Sequence, residues 1–271
     1  MLTGFFDNIP MQNYKPIELN GQPIAADKFP LICTPLVGRT LDKIMVELAV
    51  VLPKKPDVLE WRVDFFEHIH DADQVIAAAA AIKKAACNMP LLFTRRSIIE
   101  GGEKIAINEA QVIALYAAVC ASKTIDLIDY ELANGATQIA QVCDAAKANG
   151  IKLVLSYHNF THTPDQETLV AKFLSAEQAG ANVAKVAVMP RDLDDVLTLL
   201  AATREASKVV RIPVISMSMG SLGGITRMMG GVFGSALSFA VGAAGSAPGQ
   251  LPIEDLNAVL QIVHKSMINK Q

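Results

Sequence analysis

Cysteine is scarce in this sequence, and the cysteines that are present lie far apart. The chain of 271 residues has four, which are Cys33, Cys87, Cys120 and Cys143. No pair has the spacing of a CxxC motif or of a Cys/His metal cluster, which argues against a disulfide framework and against a zinc site. We therefore predict four reduced, buried thiols, no metal and a cytoplasmic protein.

A strong excess of charge of either sign is also missing. The 24 Lys and Arg residues stand against 27 Asp and Glu residues, which gives a formal net charge of -3. Nucleic-acid binding requires a basic patch or stripe, and the sequence has none. We predict no nucleic-acid partner.

Long apolar runs of the kind that span a membrane are lacking as well. The first ten residues, MLTGFFDNIP, have no basic region and include Asp7, so they make a poor secretory signal. Residues 228–253 carry no charge but are rich in glycine and serine. A spanning helix needs about 20 mainly apolar residues. We predict a short helix and a core strand in this segment, and no membrane partner.

The sequence does contain a repeated pattern of short apolar strands. Runs rich in β-branched residues recur at intervals of roughly 25 to 35 residues. The eight predicted strands are LICTPL (31–36), VLEWRVD (58–64), PLLFTRR (90–96), IDLIDYEL (125–132), KLVLSYH (152–158), VAKVAVM (183–189), PVISMSM (213–219) and ALSFAV (236–241). Eight strands that alternate with helices predict a (β/α)8 TIM barrel, which commonly takes about 250 residues.

Helical periodicity fills the intervals between the strands. The patterns that we assign cover residues 71–86, 108–122, 165–180 and 192–207, and several begin with an acidic residue or Asn that can cap a helix. Gly180 stands where a C-terminal cap is expected. We predict one barrel domain over residues 1–271. Within it, PIELNGQPI (16–24) forms a hairpin that closes the barrel floor, and residues 1–14 are a disordered extension.

The sixth predicted strand carries a lysine among small aliphatic residues. Lys185 alternates with Val183 and Ala187, so the three side chains share one face. A strand lysine usually lies on the outer face and extends past a helix to solvent. Inside the barrel, however, an amine that has few polar neighbours favours its neutral form, which is the nucleophile that attacks a ketone. Its neighbours therefore favour imine chemistry at Lys185.

A histidine ends the neighbouring fifth strand. Adjacent strands lie about 4.8 Å apart, so the imidazole of His158 can approach Lys185 at the carboxyl ends, where barrel active sites lie. Such a histidine can remove a proton beside an iminium and return it to a leaving hydroxyl. His162, in the loop beyond the strand end, is the second candidate for this role.

Charged residues also follow the second, third and fourth strands. Glu60 and Arg62 should pair with each other, because an unpaired buried charge is costly, and Arg62 could also bind a substrate. The third strand ends near Arg96 and Glu100. Asp129 lies on the fourth strand, beside the fifth, and we expect it to orient the ring of His158.

Two loops complete the predicted site. After the seventh strand, the glycines of GSLGG (220–224) could form a phosphate-binding turn, although no phosphate fingerprint is present. Arg227 is either a clamp for a planar carboxylate or half of a surface salt bridge. Past the eighth strand, Ser246 and Gln250 belong to a small-residue loop, SAPGQ, that is typical of a lid over a hydroxylated ligand.

The sequence closely resembles the type I 3-dehydroquinate dehydratases of the shikimate pathway. The resemblance rests on seven motifs in one order, EWRVDFFE, FTRRSIIEGG, DYEL, LSYHNF, GANVAKVAVMP, ISMSMG and SAPGQ. It implies a (β/α)8 barrel, a homodimer, and neither a metal nor an organic cofactor. The implied reaction is syn elimination of water from 3-dehydroquinate to give 3-dehydroshikimate.

The resemblance also implies roles for individual residues. Lys185 matches the Schiff-base lysine, His158 the general acid and base, and Glu100 the carboxylate that assists proton transfer and imine hydrolysis. The positions that match substrate contacts are Glu60, Arg62, Arg96, Arg227, Ser246 and Gln250, and those that match pocket walls are Met217 and Met219.

Two other functions fit part of the pattern. A class I aldolase or transaldolase also uses a barrel lysine, but it would cleave a carbon–carbon bond and would usually need a phosphate site. A barrel that only binds or scaffolds would have no reason to place Lys185 beside His158. The seven motifs together favour the dehydratase.

Overall fold

Eight parallel strands form the centre of the molecule in the computed structural model, which describes residues 15–25, 28 and 30–268. They are β1 (Leu31–Leu36), β2 (Val58–Arg62), β3 (Leu91–Thr94), β4 (Leu127–Glu131), β5 (Lys152–Asn159), β6 (Val183–Val188), β7 (Val214–Ser218) and β8 (Leu237–Val241). Strand β8 pairs with β1, and a bridge between Val214 and Ser235 joins β7 to the residues just before β8. The sheet therefore closes, and the predicted (β/α)8 barrel is confirmed.

Helices cover the outside of the sheet. They are α1 (Leu41–Val51), α2 (Ala72–Ala85), α3 (Glu109–Ser122), α4 (Ala136–Asn149), α5 (Gln166–Gln178), α6 (Leu193–Val209), α7 (Gly224–Met229) and α8 (Ile253–Ile268). The four predicted helices are confirmed to within two residues at each end. Their caps are the expected ones, since Asp71, Asn108, Asp165 and Asp192 accept hydrogen bonds from first-turn amides. Gly180, with φ of +92°, lies just past α5.

Several strands end earlier than the sequence suggested. Strand β2 stops at Arg62, and a 3-10 turn over Val63–Phe65 follows it. Strand β3 stops at Thr94, before a second 3-10 turn over Ile98–Glu100. These 3-10 turns at the carboxyl ends of the strands place charged side chains over the barrel mouth.

The N-terminal hairpin closes the barrel floor, as predicted. Glu18–Leu19 pairs antiparallel with Gln22–Pro23 across Asn20 and Gly21, which both have the positive φ of a tight Asn-Gly turn. Just before it, Ile17 is only 2% exposed and packs against the residues that line the lower barrel, Leu31, Cys33, Val58, Leu92, Leu127, Val154 and Val183. The prediction for residues 1–14 lies outside the described residues.

The lower half of the barrel is apolar, so polar chemistry is confined to the opposite end. Among the four cysteines, which are all free thiols, Cys33 and Cys120 are buried. The prediction of burial is wrong for Cys87, which is exposed in a left-handed turn after α2, and Cys143 is only half-buried. No described helix is long and apolar enough to cross a membrane. Residues 228–253 instead contain the end of α7, a 3-10 turn and β8.

Candidate active site

A cavity at the carboxyl ends of the strands brings together the predicted site residues except Asp129 and the second-choice histidine, His162. Its walls include Glu60, Arg62, Arg96, Glu100, His158, Lys185, Met217, Met219, Arg227, Ser246 and Gln250. These residues come from β2, β5, β6 and β7, from the segments after β3, β7 and β8, and from α7, which carries Arg227. Residues separated by up to 190 positions therefore face one small space.

Lys185 lies on β6 with its side chain inside the barrel, and only 4% of that side chain is exposed. Its Nζ atom donates to Oδ2 of Asp129 at 3.0 Å and is 3.7 Å from Oε1 of Glu60. The same atom lies 4.5 Å from the ring centroid of Phe239, within cation–π range. The expectation of a largely apolar surrounding is therefore wrong. The polar partners belong to β2 and β4, so the sequence around Lys185 could not reveal them.

His158 lies on β5, next to β6, with Ser156 opposite Lys185 and His158 opposite Ala187. Its Nδ1 atom is 2.7 Å from Oε2 of Glu100, which follows β3. The expectation that Asp129 orients this ring is wrong, because Glu100 occupies that position. When Nδ1 carries the proton and donates it to Glu100, Nε2 is free to act as a base.

Burial governs the charge of this pair. It lowers the pKa of His158 well below its ordinary value, and the cations Arg96, Lys185 and Arg62 lower it further. Burial also raises the pKa of Glu100 to about 8, which is more than the neighbouring Arg96 guanidinium offsets. Both shifts favour the neutral imidazole and the neutral carboxyl group over an ion pair, and the 2.7 Å contact between them is a hydrogen bond.

Arg96 organises the carboxylates beneath the cavity. It donates to Asp129 Oδ1 at 2.7 Å, to Glu131 Oε1 at 3.2 Å and to Ser156 Oγ at 2.8 Å. Burial by itself would lower the pKa of Arg96, but the surrounding carboxylates outweigh it and raise that pKa. Burial likewise opposes ionisation of Asp129, yet Arg96 and Lys185 hold its pKa below the ordinary value. Asp129 is therefore a fixed anion that lies against Lys185.

The expected ion pair between Glu60 and Arg62 is not formed. Arg62 instead binds both carboxylate oxygens of Asp64, at 2.8 and 2.7 Å, while Glu60 accepts from Thr94 Oγ1 at 3.0 Å. Residues two apart on a strand are separated by roughly 6.6 Å, further than the neighbouring strand. The 3-10 turn after β2 returns Asp64 to Arg62, and Glu60 turns towards β3 and β6.

Arg227 is a buried cation that lacks a carboxylate partner. Only 1% of this residue is exposed, and its guanidinium donates to the backbone oxygens of Phe239 and Pro248 at 3.3 and 3.1 Å. Its Nε atom has no hydrogen-bond partner, and no described carboxylate pairs with it. Burial lowers its pKa to about 10. The surface salt bridge considered as an alternative is thus excluded, and the geometry suits a ligand anion.

The loop over residues 242–250 covers the cavity. Gln250 accepts from the Ser246 backbone amide at 3.0 Å and donates to its hydroxyl at 3.3 Å. Arg62 donates to the Ser246 carbonyl at 3.3 Å, so the loop is tied to a pocket arginine. Gly249, with φ of +75°, lies so close to the next loop that a Cβ there would be 2.1 Å from the Gly220 oxygen. The loop has the position expected of a lid.

Three further observations bear on the predicted candidates. His162 is exposed and contacts Thr161 and Asn159, so it lies away from the cavity. In the glycine turn, the amide of Gly220 donates to Pro248 and that of Gly224 to Ser221, so neither is directed towards a phosphate. Among the described residues, no group of His, Cys, Asp or Glu side chains is arranged to hold a metal ion.

Sequence reasoning missed two aromatic walls of the cavity. Phe239 lies on β8 beneath Lys185, and Phe160 follows β5 and packs against Gly101, where a Cβ would be 2.3 Å from its ring. The alternation of ALSFAV could have indicated that Phe239 points inwards. The Gly-Gly pair after Glu100 could have indicated that a bulky group lies against it.

Comparisons with known proteins agree with this geometry. A family model for type I 3-dehydroquinase matches residues 32–267. The 3-dehydroquinate dehydratase of Albidiferax ferrireducens is 69% identical over 257 residues, which cover 95% of this chain and 97% of that protein.

Solved structures agree as well. The 3-dehydroquinate dehydratase of Geobacillus kaustophilus superposes with a TM-score of 0.89 at 48% identity, covering 93% of this chain and 97% of that one. The type I enzyme of Clostridium difficile, solved with covalently modified comenic acid, gives 0.87 at 37% identity, covering 94% and 99%. A family match over most of the chain and a relative at this identity establish membership, and the chain belongs to the type I 3-dehydroquinase family.

Proposed function

We propose that this protein removes water from 3-dehydroquinate to give 3-dehydroshikimate by way of a Schiff base on Lys185. The observation that carries the proposal is the buried amine of Lys185, which shares a cavity with the His158–Glu100 pair and with Arg227, a cation without a carboxylate partner. These groups supply a nucleophile, a base and an anion site, which are the three parts that the reaction needs.

Substrate binding would begin with the carboxylate on C1. Arg227 is the buried cation with unused donors, so it would bind this group and gain the counter-ion that the protein does not provide. Ser246 and Gln250 would hydrogen-bond ring hydroxyls from the lid, and Met217 and Met219 would line the apolar side. Glu60, Arg62 and Arg96 also reach the cavity, although both arginines are held by carboxylates.

The chemistry would proceed through the C3 ketone. The Lys185 amine adds to C3 and water leaves, so an iminium forms that can accept electrons from the neighbouring carbon. Nε2 of His158 then removes a proton from C2, and the electron pair becomes an enamine. The enamine expels the C1 hydroxyl, which takes the proton from the same imidazole, so both groups leave from one face.

Release requires water to add to the iminium and free the amine of Lys185. Glu100 would keep the His158 ring oriented while the ring gains and loses its proton, and would assist this hydrolysis. The lid would exclude bulk water until the elimination is complete. No organic cofactor is needed for any of these steps, because the lysine supplies the electron sink.

The aldolase alternative is less well supported. A phosphorylated sugar would need a phosphate site, and in the glycine turn at residues 220–224 the amides of Gly220 and Gly224 donate to protein carbonyls. Arg227 would be the single cation available to a phosphate within the described cavity, since Arg62 and Arg96 are already paired. The site is better suited to a monoanionic ring than to a phosphate ester.

The family also leads us to propose a cytoplasmic homodimer that acts in the shikimate pathway. Sedimentation velocity at micromolar concentrations would test the dimer, because a single monomeric species would contradict it. Rescue of a strain that cannot make aromatic amino acids would test the pathway.

Borohydride trapping tests the proposed mechanism. The protein is reduced with and without 3-dehydroquinate, and its peptides are then analysed by mass spectrometry. We expect a substrate-dependent adduct on Lys185 and none in Lys185→Met, which keeps the length of the side chain but lacks the amine. Lys185→Ala should likewise lose turnover and stay folded. A folded wild-type protein that forms product without any adduct would overturn the Schiff base.

A further inference from the structure

The environment of Lys185 raises a question that the proposed reaction does not answer. Two carboxylates lie within ion-pair distance of its Nζ atom, which is the geometry of an ion-paired ammonium, and an ammonium has no lone pair with which to attack a ketone. A proton must therefore leave the amine before the Schiff base can form, and a nearby group must accept it.

The two carboxylates differ in how many hydrogen bonds they accept. Asp129 is completely buried, does not line the cavity, and accepts from Arg96 at 2.7 Å, from Ser156 at 2.6 Å and from Lys185 at 3.0 Å. Three donors bind its two oxygens, and although burial opposes its ionisation, Arg96 and Lys185 hold its pKa below the ordinary value, so it is a weak base.

Glu60 accepts fewer hydrogen bonds than Asp129 does. Among the described residues, its hydrogen bond comes from Thr94, and its Oε1 atom lies 3.7 Å from the Lys185 amine. Unlike Asp129, it lines the cavity, so it can reach both the amine and the oxygen of a bound ketone. Arg62, the cation two residues away, is bound to Asp64 and does not neutralise it.

We propose that Glu60 is the catalytic base and acid of imine formation, and that Asp129 remains ionised as the counter-ion of the iminium. Glu60 takes one proton from the ammonium, and the freed nitrogen lone pair bonds to C3 as the carbonyl π bond breaks. A second proton passes from nitrogen to oxygen, and Glu60 returns its own to the hydroxyl, which leaves as water. Of the three ammonium protons, one stays on the iminium and two leave in the water.

The remaining charged groups around Lys185 do not offer the same route. His158 faces the cavity from β5 but hydrogen-bonds Glu100 through Nδ1, and its Nε2 is assigned to the C2 proton. Arg62, Arg96 and Arg227 are cations, Glu100 is engaged with His158, and Glu131 is held by Arg96 and the Ser97 amide. Glu60 is thus the carboxylate with access to both atoms that exchange protons.

Rapid-quench trapping in a His158→Ala background isolates imine formation, because elimination should be blocked there while the imine accumulates. This inference rests on the proposed function, so wild type is trapped in parallel. We expect Glu60→Gln in that background to slow adduct formation about 100-fold, within the usual range for general acid–base catalysis. The slow rate should rise with pH, since the amine must then lose its proton to solvent. Glu60→Asp should restore part of the rate, and Thr94→Val, which keeps the carboxylate, should change it less than about fivefold.

The possible results separate this inference from the proposed function. Unchanged adduct formation in Glu60→Gln would overturn it and leave Glu60 as a substrate contact. If His158→Ala by itself abolished the adduct, His158 would be the proton carrier and the inference would also fail. If wild type formed no adduct, the proposed Schiff base would fail first. Circular dichroism on each variant excludes loss of the fold as the cause.

Discussion

The buried charged residues of this site differ in whether they have a partner of opposite charge. Arg62 and Arg96 have carboxylate partners at 2.7 Å, whereas Arg227 is just as deeply buried and donates to two backbone oxygens and to the sulfur of Met217. Leaving a buried cation without a counter-ion costs stability, and the cost is recovered when an anion binds. Glu100 is the converse case, a buried acid that avoids the cost by keeping its proton at neutral pH.

Replacing Arg227 by methionine should therefore separate stability from binding. We expect Arg227→Met to raise the melting temperature of the ligand-free protein by a few °C, because a desolvated cation is removed from an apolar wall. Affinity for the substrate should fall about 100-fold or more, as expected when a charge-assisted contact is lost. Calorimetry measures both quantities. A lower melting temperature, or unchanged affinity, would show that the guanidinium is structural.

The pH dependence of stability should reveal Glu100. Folding raises its pKa from 4.5 to about 8, so the folded state holds this proton more tightly than the unfolded chain does. The resulting stabilisation is complete below the unfolded pKa and is lost as the pH rises towards and through 8. Glu100→Gln imitates the protonated acid and should escape this loss.

We expect wild type and Glu100→Gln to melt at similar temperatures at pH 5. By pH 9 the variant should melt at least about 5 °C higher than wild type, given the usual relation between unfolding free energy and melting temperature. Differential scanning fluorimetry across this range measures the gap. A difference that stays constant with pH would mean that Glu100 is already ionised at neutral pH.

At the scale of elements, the site depends on how strands end and where loops are pinned. The 3-10 turn after β2 delivers Asp64 to Arg62, and the turn after β3 delivers Glu100 to His158. The lid between β8 and α8 is fixed by two arginines and by the contact of Gly249 with Gly220. These elements are short, so one extra side-chain atom can displace them.

Gly249→Ala tests the lid contact. Its Cβ would lie 2.1 Å from the Gly220 oxygen, so the loop must move, and we expect kcat/KM to fall about 10- to 100-fold. Gly21→Ala is a matched control, because φ is +73° there and the new Cβ meets no atom within 4 Å. Both variants carry backbone strain, but the control should keep wild-type kinetics. Equal kinetics in the two variants would show that lid docking does not matter.

The two ends of the barrel have different roles, since one end stabilises the fold and the other carries the candidate active site. The floor is sealed by the hairpin and by apolar side chains, while most of the buried charges lie at the mouth, Asp57 on the floor side being an exception. This division matches the usual arrangement of barrel enzymes, in which the amino-terminal face supports the fold and the carboxyl-terminal face carries the site. A change at one end should therefore leave the property of the other end intact.

Ile17→Asn should weaken the fold without altering catalysis. A polar group in place of the 2% exposed Ile17 should cost about 3 kcal/mol, which corresponds to a melting temperature lower by about 6 to 12 °C. At 25 °C we expect kcat/KM to stay within about twofold of wild type. Ile262→Asn, at a residue that is 68% exposed, serves as the neutral comparison. A kinetic defect in Ile17→Asn alone would show that the floor is coupled to the mouth.

The sequence by itself determined the barrel and the identity of most residues at its mouth. Period-two strands, Asp and Asn caps, and the Asn20–Gly21 turn are local patterns, so they could be recognised without any knowledge of distant residues. The seven motifs pointed to the family before any geometry was available. Lys185 and His158 were placed on neighbouring strands because barrel topology fixes which strands are adjacent.

Only the tertiary structure decided which side chains meet. Same-face residues along one strand are further apart than residues on adjacent strands, so partners are set by register and by the turns after each strand. For that reason Glu60 lies near Lys185 and does not pair with Arg62. Asp129 also contacts Lys185, and Glu100 hydrogen-bonds the ring of His158. Burial then set which of these groups are charged, because it depends on the atoms packed around each group and not on its neighbours in sequence.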